Sequence, residues 1–209
     1  MSAVPVIDVS RDDVAELRRR LRHTRWADTW PIGEWEAGTK VRDLRDLVSY
    51  WSEDFDWAAQ QERINALPWH EADIGGVAVA YLRFDAETAG GLPIVLTNGW
   101  PSTALELIPL AERLSMPSRF GGDPVKAVTV IVPAIPGLPF SPPRPALGQE
   151  THELWHQLMT DDLDFARYAA HEEISAQGSP PVSVRPIRMR LPASTFWPSL
   201  NHADTTKRH

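Results

Sequence analysis

The chain has 209 residues, 43% of them hydrophobic and 23% charged, enough apolar content for one packed domain and too much for wholesale disorder. Its net charge of −7 argues against a nucleic-acid partner, and the lack of any cysteine excludes disulfides, thiol catalysis and thiolate metal sites. No apolar run reaches the roughly 18 residues of a membrane span, and a cytoplasmic chain is expected.

Residues 5–75 read as a helical region. Residues 1–20 turn charged too early to hold the apolar core of a signal peptide. Ser10 is placed to cap a helix, Asp12 and Asp13 suit its first turn, and Val14, Leu17 and Leu21 recur at helical spacing. An irregular stretch follows through Trp30, Pro31 and Gly33. A second helix carries Val41, Leu44, Leu47, Val48 and Trp51 on one face. A third starts near Asp56 and runs to Leu67, where Pro68 stops it. Six of the nine tryptophans fall between residues 26 and 69, and the reading is a packed aromatic layer, with exposed aromatics for binding as the alternative.

Residues 76–171 alternate strand and helix. A β-rich run spans 77–84 after Gly75-Gly76, and a short, nearly all-apolar run spans 92–97, as in a strand covered on both faces. A helix from Ser102 carries Leu107, Leu110, Ala111 and Leu114, and residues 127–132 form the next buried strand. A proline-rich turn region covers 133–145, a helix covers 151–159, and a short strand ends near His171. This alternation predicts an α/β fold with a mostly parallel sheet. Residues 172–209 have five prolines and no apolar period, the pattern of a disordered tail.

Two segments are candidates for chemistry. His152-Glu153-Leu154-Trp155-His156 is a literal His-Glu-x-x-His, which on a helix sets two imidazoles on one face with a glutamate between them, as in zinc hydrolases. The third ligand would have to be His171, Glu172 or Glu173. The alternative is an ordinary helix whose Leu154 and Leu158 face the core. The other segment is Thr97-Asn98-Gly99-Trp100-Pro101-Ser102, at the carboxyl end of a buried strand, where α/β sheets place their sites and where backbone amides can form half an oxyanion hole. No Gly-x-Ser-x-Gly elbow occurs, and Gly121-Gly122-Asp123, followed by Pro124, reads as a loop.

Several segments resemble microsomal-type epoxide hydrolases, in the order that family has them. They are residues 18–28 (RRRLRHTRWAD), Trp35-Glu36-x-Gly38, residues 44–57 (LRDLVSYWSEDFDW), residues 61–65 (QERIN), the Asn98 to Ser102 loop, and residues 133–141 (PAIPGLPFS). The resemblance covers residues 5–171. It implies an α/β-hydrolase fold, incomplete here, preceded by a helical meander. It also implies a reaction without metal or organic cofactor on a small-molecule epoxide. An aspartate on a Gly-Gly-Asp-x-Gly elbow forms an ester with an epoxide carbon, a histidine activates water to hydrolyse it, and lid tyrosines bind the epoxide oxygen. Gly99, Trp100 and Pro101 match the family's oxyanion loop, and the amide of Trp100 would serve it. Asn98 stands where the family has histidine. Tyr50, Tyr81 and Tyr168, the only tyrosines, all precede the place of the lid.

The resemblance stops at His171. The chain continues Glu172-Glu173-Ile174-Ser175-Ala176-Gln177-Gly178, with Ile174 in the nucleophile's place. The coding text CAC GGA GGA GAT CTC GGC GCA GGG ATC ACC specifies His-Gly-Gly-Asp-Leu-Gly-Ala-Gly-Ile-Thr. Without one G after CAC it specifies His-Glu-Glu-Ile-Ser-Ala-Gln-Gly-Ser-Pro, the residues at 171–180 as they stand. Residues 172–209 therefore read as an out-of-frame tail. The expectation is an epoxide hydrolase by family whose 209-residue chain has no nucleophile elbow, lid or catalytic histidine and is inactive. A non-catalytic binding module and a zinc hydrolase are the alternatives.

Overall fold

The computed structural model describes residues 7–28, 35–36, 38–144 and 150–172. All belong to the first of two units of the chain, Met1–Ala176, while the second, Gln177–His209, lies outside the described residues. So do the expected tail beyond Glu172, Ile174 within it, and the stretch through Trp30, Pro31 and Gly33.

Three amphipathic helices come first: α1 (Arg11–Arg22), α2 (Val41–Glu53) and α3 (Trp57–Asn65). Ser10 caps α1 by accepting from the Asp13 amide at 3.1 Å, and Asp56 caps α3 by accepting from the Ala59 amide at 3.1 Å. The third helix ends at Asn65, two residues short of the expected Leu67. Side-chain amides tie the entering chain to α3. Asn65 accepts from the Ile7 amide at 3.1 Å and donates to the Ile7 carbonyl at 2.8 Å, and Gln61 accepts from the Val9 amide at 2.7 Å.

The expected packed aromatic layer is corrected. No residue of α1 or α3 is buried, and in α2 only Ser52 is. Trp26, Trp57 and Trp69 are half-buried, and Trp35 and Trp51 are exposed. The helices α1 and α2 pack on each other, yet Leu44, Leu47 and Trp51 of α2 stay exposed.

The sheet has five strands: β1 (Trp69–Ile74), β2 (Val77–Phe84), β3 (Ile94–Thr97), β4 (Val130–Pro133) and β5 (Ala169–Glu172), in the order β1-β2-β4-β3-β5. It begins ahead of the expected boundary at 75. That position lies in the tight turn of a β1–β2 hairpin, where Gly75 and Gly76 have φ of 61° and 86° and Ile74 pairs with Val77. Both ladders of β2 are antiparallel, and β3 pairs in parallel with β4 and β5. Four strands thus share one direction and β2 alone is reversed, so the sheet is mostly parallel by strand direction.

The period of two in the strands divides the core. Val79, Tyr81, Val95 and Ile131 pack on one face with Leu154, Trp155, Leu158 and Met159. Ala80, Leu82, Leu96, Val130 and Val132 pack on the other with Ala104, Leu107 and Ala111. The helices behind these faces are α4 (Ile108–Ser115), which follows a one-turn 3₁₀ segment at Ala104–Leu107, and α5 (Thr151–Gln157), which runs on into a π turn, Leu158–Asp162. The expected single helix from Ser102 is therefore shorter. Thr103 caps the 3₁₀ turn, and Pro109, which has no N–H to donate, sits in the first turn of α4, where that donor is not needed. Gly91 is required where it stands, since a Cβ there would meet the carbonyl of Ala127.

Candidate functional site

The parallel strands β4, β3 and β5 end side by side, and β4 and β3 hand their chain to loops at that end. In an open α/β sheet this is where sites form. The register pairs Leu96 with His171 and Thr97 with Glu172. The end of β3 at Thr97 is therefore level with the end of β5 at Glu172.

The β3 loop is held by one side chain. Asn98 is 2% exposed. Its Nδ2 donates to the Gly99 carbonyl at 3.1 Å and to the Ser102 carbonyl at 3.0 Å, while the Ser102 amide donates to the Gly99 carbonyl at 3.0 Å. The Trp100–Pro101 peptide is cis. Trp100 stands 67% exposed at the loop tip, and its backbone N–H has no hydrogen-bond partner among the described residues. The loop thus presents a free amide donor at the carboxyl end of the sheet, as an oxyanion hole requires. Asn98, Gly99, Trp100 and Pro101 are brought together here. Ile174, the expected nucleophile position, lies outside the described residues.

The β4 loop is fixed by Ser141, which is 4% exposed. Its hydroxyl donates to the Ala134 carbonyl at 2.9 Å and accepts from the Ala80 amide at 3.0 Å, pinning the proline-rich turn to β2. Within that turn Gly137, at φ 89°, donates to the carbonyls of Ser141 and Pro142 at 3.2 and 3.1 Å. Sequence reasoning quoted Ser141 as part of a motif and missed this tie. A lone small hydroxyl among prolines was the available signal.

The His-Glu-x-x-His segment does lie on a helix, α5, but Glu153 and His156 are engaged separately, and the buried Nδ1 of His152 has no hydrogen-bond partner among the described residues. Glu153 accepts from the Glu150 amide at 3.1 Å and completes a capping box. The exposed His156 joins its Nδ1 to the Tyr168 hydroxyl at 2.9 Å. Leu154 and Leu158 are fully buried, so the helix presents its core face as the alternative reading required. Among the described residues no group of three His, Asp or Glu is placed to hold a metal ion. His152, His156, His171 and Glu172 are not brought together as the zinc reading needs, and Glu173 lies outside the described residues. Gly121-Gly122-Asp123 is a loop, with Gly121 at φ 78° and Asp123 capping the turn at Pro124–Lys126. Of the tyrosines, Tyr50 is exposed on α2, and burial pushes the phenols of Tyr81 and Tyr168 above their ordinary range.

Residues 4–107 match the family described as epoxide hydrolase N terminus. The "Putative epoxide hydrolase" of Stigmatella aurantiaca is 33% identical over 135 residues, which cover 65% of this chain and 31% of that protein. Epoxide hydrolase 1 of Oryctolagus cuniculus is 25% identical over 139 residues, 65% of this chain and 30% of its own length. The chain thus spans about a third of the length of these relatives. The fold is similar to the juvenile hormone epoxide hydrolase of the silkworm Bombyx mori, with a TM-score of 0.66 and 23% identity over 79% of this chain and 40% of that one. It is also similar to the Aspergillus niger epoxide hydrolase, with a TM-score of 0.63 and 21% identity over 87% of this chain and 54% of that one. By the helical segment that opens the chain and the sheet that follows it, this protein belongs to the epoxide hydrolase family and has part of the α/β-hydrolase fold.

Proposed function

We propose that this chain carries the substrate-side loop of an epoxide hydrolase site but not its nucleophile, and that the 209-residue polypeptide does not turn over. The reaction of the complete site is that of the family. A carboxylate oxygen attacks one carbon of a small-molecule epoxide, the C–O bond of the ring breaks, and the released alkoxide takes a proton from an acid beside it. Water, deprotonated by a histidine, then attacks the ester carbonyl. The resulting oxyanion is held by backbone amides until the vicinal diol leaves and the carboxylate is restored. The free amide of Trp100 is suited to that last role. Neither metal nor organic cofactor enters these steps.

The observation that carries this reading is the register of β3 and β5. Pairing Thr97 with Glu172 sets the amide-bearing loop level with the point where the family's elbow begins. At that point the chain has Glu172, Glu173 and Ile174 in place of the Gly-Gly-Asp of the elbow. An isoleucine side chain has no atom that can form the ester, and loss of a single member of such a catalytic set costs many orders of magnitude. One deleted base after the His171 codon accounts for the change.

The test is diol formation from styrene oxide by the purified chain. The expected result is no diol above a no-protein control, and turnover would overturn the proposal. Sequencing of the codons for 171–174, followed by insertion of one G after the His171 codon, sharpens it. A restored Gly-Gly-Asp elbow with hydrolysis of styrene oxide is the expected outcome.

A further inference from the structure

Asn98 departs from the histidine of the family, and its surroundings assign it a task. The carboxamide is buried, and both of its N–H bonds point at carbonyls, those of Gly99 and Ser102. Turning the group over would set its oxygen against two carbonyl oxygens, so this orientation is the one the loop accepts. The price is on the other side of the group. Oδ1 is buried and has no donor among the described residues. A buried acceptor without a partner is unfavourable, and a residue retained only to fill space would be apolar. Asn98 is therefore held here for its two donors.

We propose that Asn98 is a positioning residue that sets the oxyanion loop. By binding one carbonyl at each end of the turn, it fixes the backbone from Gly99 to Ser102 and with it the direction of the Trp100 amide. A neutral imidazole has one N–H and can hold only one of those two carbonyls, so asparagine takes over the histidine's place with one more tether. The purpose of the loop rests on the proposed function above, but its geometry can be tested without turnover. A failure here is thus distinct from a failure of the diol assay.

The experiment is amide hydrogen exchange on the full chain, reading Ser102 as the loop reporter and Ile131 in β4 as the core reporter. Asn98→Asp keeps size and shape but removes both donors. The expected result is exchange of the Ser102 amide at least about ten-fold faster, with Ile131 unchanged. Asn98→His, with one donor, should fall between Asp and Asn. A merely structural role would move Ser102 and Ile131 together. Equal Ser102 rates in wild type and Asn98→Asp, or parallel acceleration at Ile131, would overturn the proposal. If the Asp variant does not fold, the His variant decides, because Ser102 exchange at the wild-type rate would show that the second tether does nothing.

Discussion

The helical layer and the sheet follow opposite rules of construction. Across α1, α2 and α3 a single residue, Ser52, is buried. In β4 all four residues are buried, and β3 buries three of its four. The helices α1 and α3 owe their starts to local bonds, Ser10 to Asp13 and Asp56 to Ala59. The strands owe theirs to neighbours distant in sequence. A stripe of apolar side chains is thus good evidence for a helix and poor evidence for its burial. The face of α2 carries Leu44, Leu47 and Trp51 at helical spacing, yet they are 36%, 58% and 43% exposed.

The sharpest way to break this contrast is a pair of truncations. Ile131, 0% exposed, sits in the middle of β4, and Ile131→Ala should cost about 2–5 kcal/mol in urea unfolding. Leu47→Ala removes a similar side chain from a 58% exposed position and should change stability by less than about 0.5 kcal/mol. Equal losses would mean that the α2 stripe is covered after all. Between these extremes lies Ser141→Ala. It strips the Ala80 amide and the Ala134 carbonyl of a partner at buried positions, and about 1–3 kcal/mol is expected by the same measurement.

The smallest effect concerns pH. Burial raises the phenols of Tyr81 and Tyr168, and for Tyr81 the Asp162 charge adds to it while Arg83 opposes. The folded state then holds these protons more tightly than the unfolded state. Their contribution to stability is whole below the ordinary tyrosine value of about 10 and is lost as pH rises through the folded values. Unfolding midpoints should fall above that pH, and fall less in Tyr168→Phe. A midpoint that rises with alkali would contradict the assignment.

The frame of the candidate loop was legible in the sequence. The buried run before Asn98 marks the end of a strand, and Gly99, Trp100 and Pro101 mark the tight turn that follows, because such runs and turns are local signals. The core-facing reading of α5 was legible for the same reason, from the spacing of Leu154 and Leu158. The strand β1 was not, because its polar His70, Glu71 and Asp73 hide the apolar alternation that betrays a strand, and only the Gly75-Gly76 turn hinted at a hairpin. The 3₁₀ turn before α4 and the π turn after α5 were not legible either. Both are adjustments of a helical run to what it packs against.

By itself the amino-acid sequence determined the caps of α1 and α3, the apolar strands, the turn at Trp100-Pro101 and the family, since each rests on residue types close together in the chain. Only the tertiary structure decided that β5 lies beside β3 with Thr97 opposite Glu172, that Leu44, Leu47 and Trp51 of α2 stay exposed, and that Asn98 spends both donors on its own loop. The physical reason is that strand order, burial and side-chain hydrogen bonding depend on which distant segments meet, and local propensity carries no record of that.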